Sequence, residues 1–266
     1  MRIVRFISGG QIFFGEQMDA RRARLIEGNI FERWARTDHV VEIEKLLAPI
    51  IPTDILCIGL NYRQHAVESG FDLPVNPLLF IKAGNTLNHP MDPIPLPRLS
   101  SQIDYEAELA VVIGKQAKYV SRRDATKYIL GYTIANDVTA RDWQREKSLG
   151  GGQFARGKSF DGFCPLGPCI VTADEILEPN NLRIKTTLNE LVVQDHTTAD
   201  MIFDIPALIE SLSSTMTLRP GAIILTGTPQ GVGMGRKPPL YLKDGDRLFI
   251  EIEKIGLLEN LVATEK

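Results

Sequence analysis

Three carboxylates carry the strongest chemical signal in this chain. Glu106 and Glu108 stand two apart in YEAELAVVIG, which turns continuously apolar from Leu109 to Ile113. A strand projects residues i and i+2 from one face, so both acids point the same way from the mouth of a buried element. Ionised carboxylates placed together repel, and they resist burial unless a positive charge sits between them. Asp137 lies in a second strand-like run, GYTIANDVTA, and offers a third oxygen donor. Three carboxylates without Cys or His suit a hard cation that keeps open, water-filled positions, such as Mg²⁺ or Mn²⁺. The alternative for Glu106 and Glu108 is the wet face of an edge strand, and the pair alone does not decide between them.

The chain has four histidines, so candidates for a neutral-pH base are few. His65 and Glu68 are three apart in YRQHAVESG and share a helix face. A carboxylate beside an imidazole orients it and stabilises the imidazolium formed on taking a proton. An exposed surface pair is the competing reading. TGTPQGVGMG, residues 226–235, is a glycine-rich loop after AIIL. It has no Lys-Ser/Thr at the offset a phosphate-binding loop needs, and Arg236 occupies the third glycine position of a dinucleotide fingerprint. Such a loop still offers close backbone approach and exposed N–H groups. Arg141 and Gln144 in ARDWQ, and Lys158 in ARGKSFDG, suit an anionic substrate or a developing oxyanion; surface charge is the alternative.

These residues need elements to hold them. IVRFI, QIFFGE and ARLIEG read as short strands joined by turns. Residues 31–51 read as more helical and polar. Together, residues 1–52 are expected to form a small N-terminal β-rich domain and connector, and 53–266 a catalytic domain. DILCIGLNY reads as a buried strand, followed by a short helix with Asn61 as candidate N-cap and Gly70 as candidate C′ residue. Residues 122–130 and 204–212 also read as helices. HPMDPIPLP is expected to be loop because of its prolines. Gly150-Gly151-Gly152 marks a loop. Short apolar runs bounded by Gly, Pro or Asn fill the remainder, which predicts a mixed α/β, strand-dominated fold rather than βαβ repetition.

Composition narrows the function. With 44% hydrophobic and 24% charged residues, the 266-residue chain can bury a sizeable core. A net charge of −3 without a long run of one sign argues against nucleic acid or a membrane surface as partner. Three cysteines without C-x-x-C spacing fit a reducing cytoplasm rather than a disulfide framework. The start, MRIVRFISGG, is too polar for a signal peptide, and no apolar stretch reaches the roughly 18 residues of a membrane span.

GLNYRQHAVE, IDYEAELAVVIGK, GYTIANDVTARDWQ, GKSFDGFCPLGP and LTGTPQGVG occur in this order. Together they resemble the fumarylacetoacetate hydrolase family, and its acylpyruvase-like members in particular, over about residues 54–253. The resemblance implies a mixed β-sandwich roll, a bound Mg²⁺, Mn²⁺ or sometimes Ca²⁺, and a homodimer. It places the metal ligands on Glu106, Glu108 and Asp137, and the base on His65 paired with Glu68. It puts substrate or oxyanion contacts on Arg141, Gln144, Lys158 and Thr228. Ala83, Ala222 and Glu190 depart from the family pattern without touching a proposed ligand. The expectation is a metal-dependent hydrolase cleaving a C–C bond in a small acylpyruvate or 1,3-diketo acid through His-activated water. Decarboxylation of oxaloacetate type, isomerisation or dehydration of a 2-oxo acid are the alternatives at the same site. A non-catalytic metal-binding module is the rival from another class, and base, orienting carboxylate and oxyanion donor together argue against it.

Overall fold

The apolar run after Glu106 forms the strand Ala107–Ile113, buried along its whole length. Its two faces serve two cores. Leu109 and Val111 pack with Ile184, Ile250 and Leu258, whereas Ala110 and Val112 pack with Ile3, Cys57 and Leu225. A strand covered on both faces loses the alternation that marks half-buried ones, which is why this run reads as continuously apolar.

The computed structural model describes residues 1–265. Among these, twelve strands form the larger of two main sheets and five the smaller, and Ile103–Asp104 pairs with Thr139–Ala140 as a two-stranded ribbon. Along the larger sheet, Ala107–Ile113 lies between Ile129–Asn136 and Ile223–Leu225, and Ile55–Gly59 and Leu78–Lys82 follow on the latter side. The smaller sheet runs Leu191–Thr197, Arg183–Leu188, Arg247–Ile252, Gly256–Thr264, Ile94–Leu96. Leu109 and Val111 meet Ile184, Ile250 and Leu258 between the two sheets, giving the expected strand-dominated sandwich. The N-terminal strands Arg2–Ser8, Gln11–Gln17 and Arg22–Gly28 form an antiparallel meander. Arg2–Ser8 also pairs with Cys164–Thr172, through Arg2 opposite Val171, so the meander continues the large sheet.

Four local expectations differ from the structure. Residues 31–51 hold strands, Trp34–Glu42 and Lys45–Leu47, and no helix. Trp34–Glu42 is an outer strand exposed on most of both faces, so it carries no periodic apolar signal, and pairing with Arg22–Gly28 decides its conformation. Residues 122–130 give only the 3₁₀ turn Ala125–Tyr128 before pairing with Ala107–Ile113 extends the chain from Ile129. The proline-rich stretch contains the strand Ile94–Leu96, tolerated because it lies at the open edge of the smaller sheet. Asn61 is not a helix cap; Tyr62 occupies that position, and Gly70 ends the helix Arg63–Ser69 in the left-handed region as expected. The Asn61 amide donates to Phe203 O and Thr226 O and accepts from Phe203 N, tying three segments together. The helix expected near 204–212 spans Ile205–Thr215, capped by Asp204 and buried through Ile205, Leu208, Ile209 and Leu212.

Candidate metal centre and active site

Four neighbouring strands of the large sheet meet at one edge. Ala107–Ile113 is antiparallel to both Ile129–Asn136 and Ile223–Leu225, and the last runs parallel to Ile55–Gly59. Three strands therefore end where the fourth begins. The His65 helix, the 226–235 loop, Asp137 and Glu106 all leave the sheet there. Ala107 pairs with Asn136, so the next residues outward, Glu106 and Asp137, oppose each other. Asp137 N donates to Glu106 O at 2.9 Å, and Glu106 N donates to Asn136 Oδ1 at 3.0 Å.

One oxygen from each of Glu106, Glu108 and Asp137 lies within 4.8 Å of the others, and all three residues are buried. Cations surround two of them. Lys158 Nζ donates to Glu106 Oε2 at 2.7 Å, Asp137 Oδ2 at 2.6 Å and Thr139 Oγ1 at 2.8 Å. Lys82 Nζ reaches Asp137 Oδ1 at 2.6 Å. Arg141 Nε donates to Asp104 Oδ2 at 2.8 Å, and Nη2 lies 2.6 Å from Glu106 Oε1, off-line for a hydrogen bond, so that contact is ionic. Burial works to raise the Glu106 carboxyl, but Lys158 and Arg141 outweigh it and hold it down to about 2. Burial works to lower the Lys158 ammonium, and Asp137 and Glu106 outweigh it and raise it.

Glu108 is different. Its side chain accepts one hydrogen bond, from Gly227 N at 2.6 Å, and has no ion pair among the described residues. Burial, then the charges of Asp137 and Glu106, push its carboxyl well above the ordinary carboxylate range. A buried acid facing two like charges and no cation of its own fits a site completed by a positive ion. The all-oxygen donor set selects a hard divalent ion.

A cavity of about 570 Å³ opens on these carboxylates and is also lined by His65, Gln144, Thr228 and Phe154. His65 Nδ1 lies 3.0 Å from Glu68 Oε2, and the other Glu68 oxygen accepts from Gly231 N at 2.9 Å. Glu68 thus ties the imidazole to the glycine-rich loop. Asp104 holds the same loop from below, accepting from Gly233 N at 2.7 Å and Met234 N at 3.0 Å. Gly227 stands at a φ of +93°, and a Cβ there meets Asn61 Cβ at 2.8 Å and Ile58 O at 3.1 Å. Gly227→Ala is therefore expected to destabilise the protein by about 1–3 kcal/mol of backbone strain and to weaken Mg²⁺ binding by displacing the Glu108 hydrogen bond. Calorimetric Mg²⁺ titration checks this, and an unchanged affinity would show that the loop does not position Glu108.

Of the residues singled out in the sequence, His65, Glu106, Glu108, Asp137, Arg141, Gln144, Lys158 and Thr228 line one pocket, while Glu68 reaches it only through its contact with His65. Gln144 Oε1 accepts from Arg141 Nη1 at 3.1 Å, which turns its amide NH₂ away from Arg141. Thr228 Oγ1 accepts from Gln194 Nε2 at 2.9 Å, which leaves its hydroxyl proton to donate elsewhere. Sequence reasoning missed Lys82, Asp104, Thr139 and Gln194. Lys82 left a trace: a lone lysine closing the apolar run LLFI is a charge that must find a partner if buried. Cys57, Cys164 and Cys169 are free and buried, and burial raises the Cys164 thiol to about 12.

A strand sandwich carrying three buried carboxylates beside an imidazole–carboxylate pair defines a small-molecule site fit for a divalent metal. Residues 54–263 match the family described as fumarylacetoacetate (FAA) hydrolase C-terminal, and residues 1–49 match one described as Rv2993c-like, N-terminal. The chain belongs to the fumarylacetoacetate hydrolase family, whose members are enzymes. It is 47% identical over 253 residues to the fumarylacetoacetate hydrolase domain-containing protein 2 homolog of Dictyostelium discoideum, covering 88% of this chain and 82% of that protein. It is 48% identical over 218 residues to a mitochondrial oxaloacetate tautomerase of Xenopus laevis, covering 82% and 68%. A 2-hydroxyhepta-2,4-diene-1,7-dioate isomerase structure from Mycobacterium marinum superposes with a TM-score of 0.85 at 39% identity, over 100% of this chain and 99% of that one. The fumarylacetoacetate hydrolase of Exiguobacterium antarcticum does so with a TM-score of 0.84 at 36% identity, over 100% of both chains. No helix among the described residues is long and apolar enough to cross a membrane.

Proposed function

We propose that this chain is a divalent-metal-dependent enzyme that moves a proton between carbon and oxygen of a small 2-oxo acid, interconverting the keto and enol forms of an oxaloacetate-type substrate. The observation that carries this is one cavity lined by both the His65 imidazole and the three carboxylates. The names of the tautomerase and isomerase relatives support it. Glu106, Glu108 and Asp137 would hold the ion, Mg²⁺ first, with Mn²⁺ or Ca²⁺ as alternatives. When bound, the ion supplies Lewis acidity to the adjacent oxygens of a 2-oxo acid.

The remaining work falls to the chain. With Glu68 accepting from Nδ1–H, Nε2 of His65 carries the free electron pair and takes the proton from the carbon next to the keto group. The same proton returns to oxygen to give the enol, so no other reactant is consumed. The Gln144 amide donates to the negative oxygen formed between the two transfers, and Lys158, whose three N–H donors go to Glu106, Asp137 and Thr139, adds its charge without a direct hydrogen bond. Arg141 and Thr228 hold the substrate carboxylate. The homodimer and the cytoplasmic placement expected from the sequence stay with this proposal.

Hydrolysis of an acylpyruvate C–C bond is the second reading. His65 would then deprotonate water, and the same amide would donate to the oxyanion, with the ammonium adding its charge. The superposable Exiguobacterium hydrolase favours it. Oxaloacetate, acylpyruvates and 2-keto-3-deoxy sugar acids assayed with Mg²⁺ and with chelator test both. Mg²⁺-dependent keto–enol exchange of oxaloacetate is expected. Metal-dependent acylpyruvate cleavage without that exchange would replace the first reading by the second, and turnover undiminished by chelator would remove the metal from either.

A further inference from the structure

The cavity holds one cation that no carboxylate neutralises. Arg145 ends the helix Arg141–Arg145 and lines the same cavity as His65, Glu106 and Lys158. Arg141, one turn earlier, is taken up by Asp104 and Glu106, and Lys158 by Glu106 and Asp137. Arg145 has no ion pair among the described residues. Its side-chain hydrogen bond there runs from Nη1 to Met234 Sδ at 2.9 Å. A thioether is a weak acceptor, so the guanidinium keeps its charge and nearly all its hydrogen-bonding capacity. The four-residue offset puts Arg145 on the face of Arg141, about 6 Å further along the helix axis. Arg141 is buried and Arg145 exposed, so this step leads from the carboxylate cluster out to the rim.

The wall beside this step is apolar, with Leu78, Phe80, Phe154 and Met234 lining the cavity. Such a wall gives a bound anion few other polar partners. Apart from the paired Arg141 and Lys158, the other charged lining residue outside the metal and base groups is Asp72, which is exposed and has no ion pair among the described residues. Its charge opposes an anion in the cavity, so the selection of a second carboxylate has to come from a positive group at the rim.

We propose that Arg145 is the specificity-determining residue for dicarboxylic 2-oxo acids, gripping the carboxylate remote from the keto group while the 2-oxo acid end lies at Glu106, Glu108 and Asp137. The assignment rests on the 2-oxo acid reading of the site. A planar guanidinium can take a carboxylate through two parallel N–H donors, a geometry lysine cannot reproduce.

The test compares oxaloacetate with 2-oxobutanoate, which keeps the keto acid and the neighbouring C–H but lacks the second carboxylate. Proton exchange at C3 in D₂O with Mg²⁺ is followed for the wild type, Arg145→Gln, Arg145→Lys and Asp72→Asn. Arg145→Gln is expected to raise KM for oxaloacetate by about 10–100-fold, the range of one charge-assisted pair, with kcat within about twofold. KM for 2-oxobutanoate should stay within about twofold. Arg145→Lys should recover part of the loss, and Asp72→Asn should lower KM for oxaloacetate. An equal effect on both substrates, or none on either, overturns the proposal. Calorimetric titration of the Mg²⁺-loaded proteins with oxaloacetate separates this from the reaction itself. An inactive wild type whose affinity falls at least tenfold in Arg145→Gln defeats the tautomerase reading and supports Arg145. Equal affinities defeat Arg145 whatever the activity, and absence of binding to the wild type defeats both.

Discussion

Glu108→Gln is expected to lower turnover by at least about 10³-fold while leaving the fold intact and the metal-free protein more stable than the wild type. The ion it helps to hold contributes several kcal/mol of charge stabilisation, and each 1.36 kcal/mol is about tenfold in rate. The gain in stability follows from the site's own electrostatics. Burial and the charges of Asp137 and Glu106 raise the Glu108 carboxyl, so the folded, metal-free protein favours its neutral form. A raised acid contributes stability below its ordinary value of 4.5 and loses it as pH rises through its folded value. Glutamine keeps the shape and removes the charge, so in chelator the melting temperature of the variant should exceed that of the wild type by a margin that widens with pH. Glu106 has the opposite sign. Its carboxyl, held to about 2, contributes stability above 4.5 that is lost as pH falls. Mg²⁺ should reverse the order by stabilising the wild type, by about 2.7 kcal/mol at a hundred times its Kd, and not the variant. Melting curves against pH, with chelator and with Mg²⁺, check this. A Glu108→Gln protein that still gains stability from Mg²⁺ and turns over substrate would remove Glu108 from the metal site.

His65→Ala is expected to lower proton transfer by about 10²–10⁴-fold, the usual contribution of a general base. Mg²⁺ affinity should change little, since the imidazole donates nothing to the three carboxylates. Glu68→Gln should act in the same direction and less strongly. Its effect has two parts, because Glu68 both orients Nδ1 of His65 and accepts from Gly231 N. A C3 exchange assay alongside a Mg²⁺ titration separates them. Loss of exchange with metal binding intact marks the base, and loss of both marks a displaced loop. Near-normal exchange in His65→Ala would place the base elsewhere and leave the metal site standing. A large loss of acylpyruvate cleavage with residual oxaloacetate decarboxylation would shift the reading toward hydrolysis, since decarboxylation depends less on an activated water.

Short-range geometry was legible in the chain itself. Two acids two apart share a strand face wherever that strand lies, and two residues three apart share a helix face, so Glu106 with Glu108 and His65 with Glu68 could be paired without a fold. Gly70 was legible for the same reason, since a cap is decided by residues within one turn. Asp137, Arg141, Gln144 and Lys158 stood out by residue type, and the ordered motifs gave them roles and added Thr228 through resemblance, without saying how they meet. Only the tertiary structure decided that. The register that sets Ala107 opposite Asn136 brings Asp137 to Glu106, and a one-residue slip would turn the acids to the other face. Lys82, Asp104 and Gln194 find partners 55, 37 and 87 residues away, at Asp137, Arg141 and Ala107, which no local pattern records. Trp34–Glu42 and Ile94–Leu96 became strands because a neighbouring strand offered its backbone, against their own local preference. Residue types and short spacings determined which groups could do chemistry. The pairing of distant strands decided which charges neutralise one another, and so left Glu108 for a metal ion and Arg145 for a substrate.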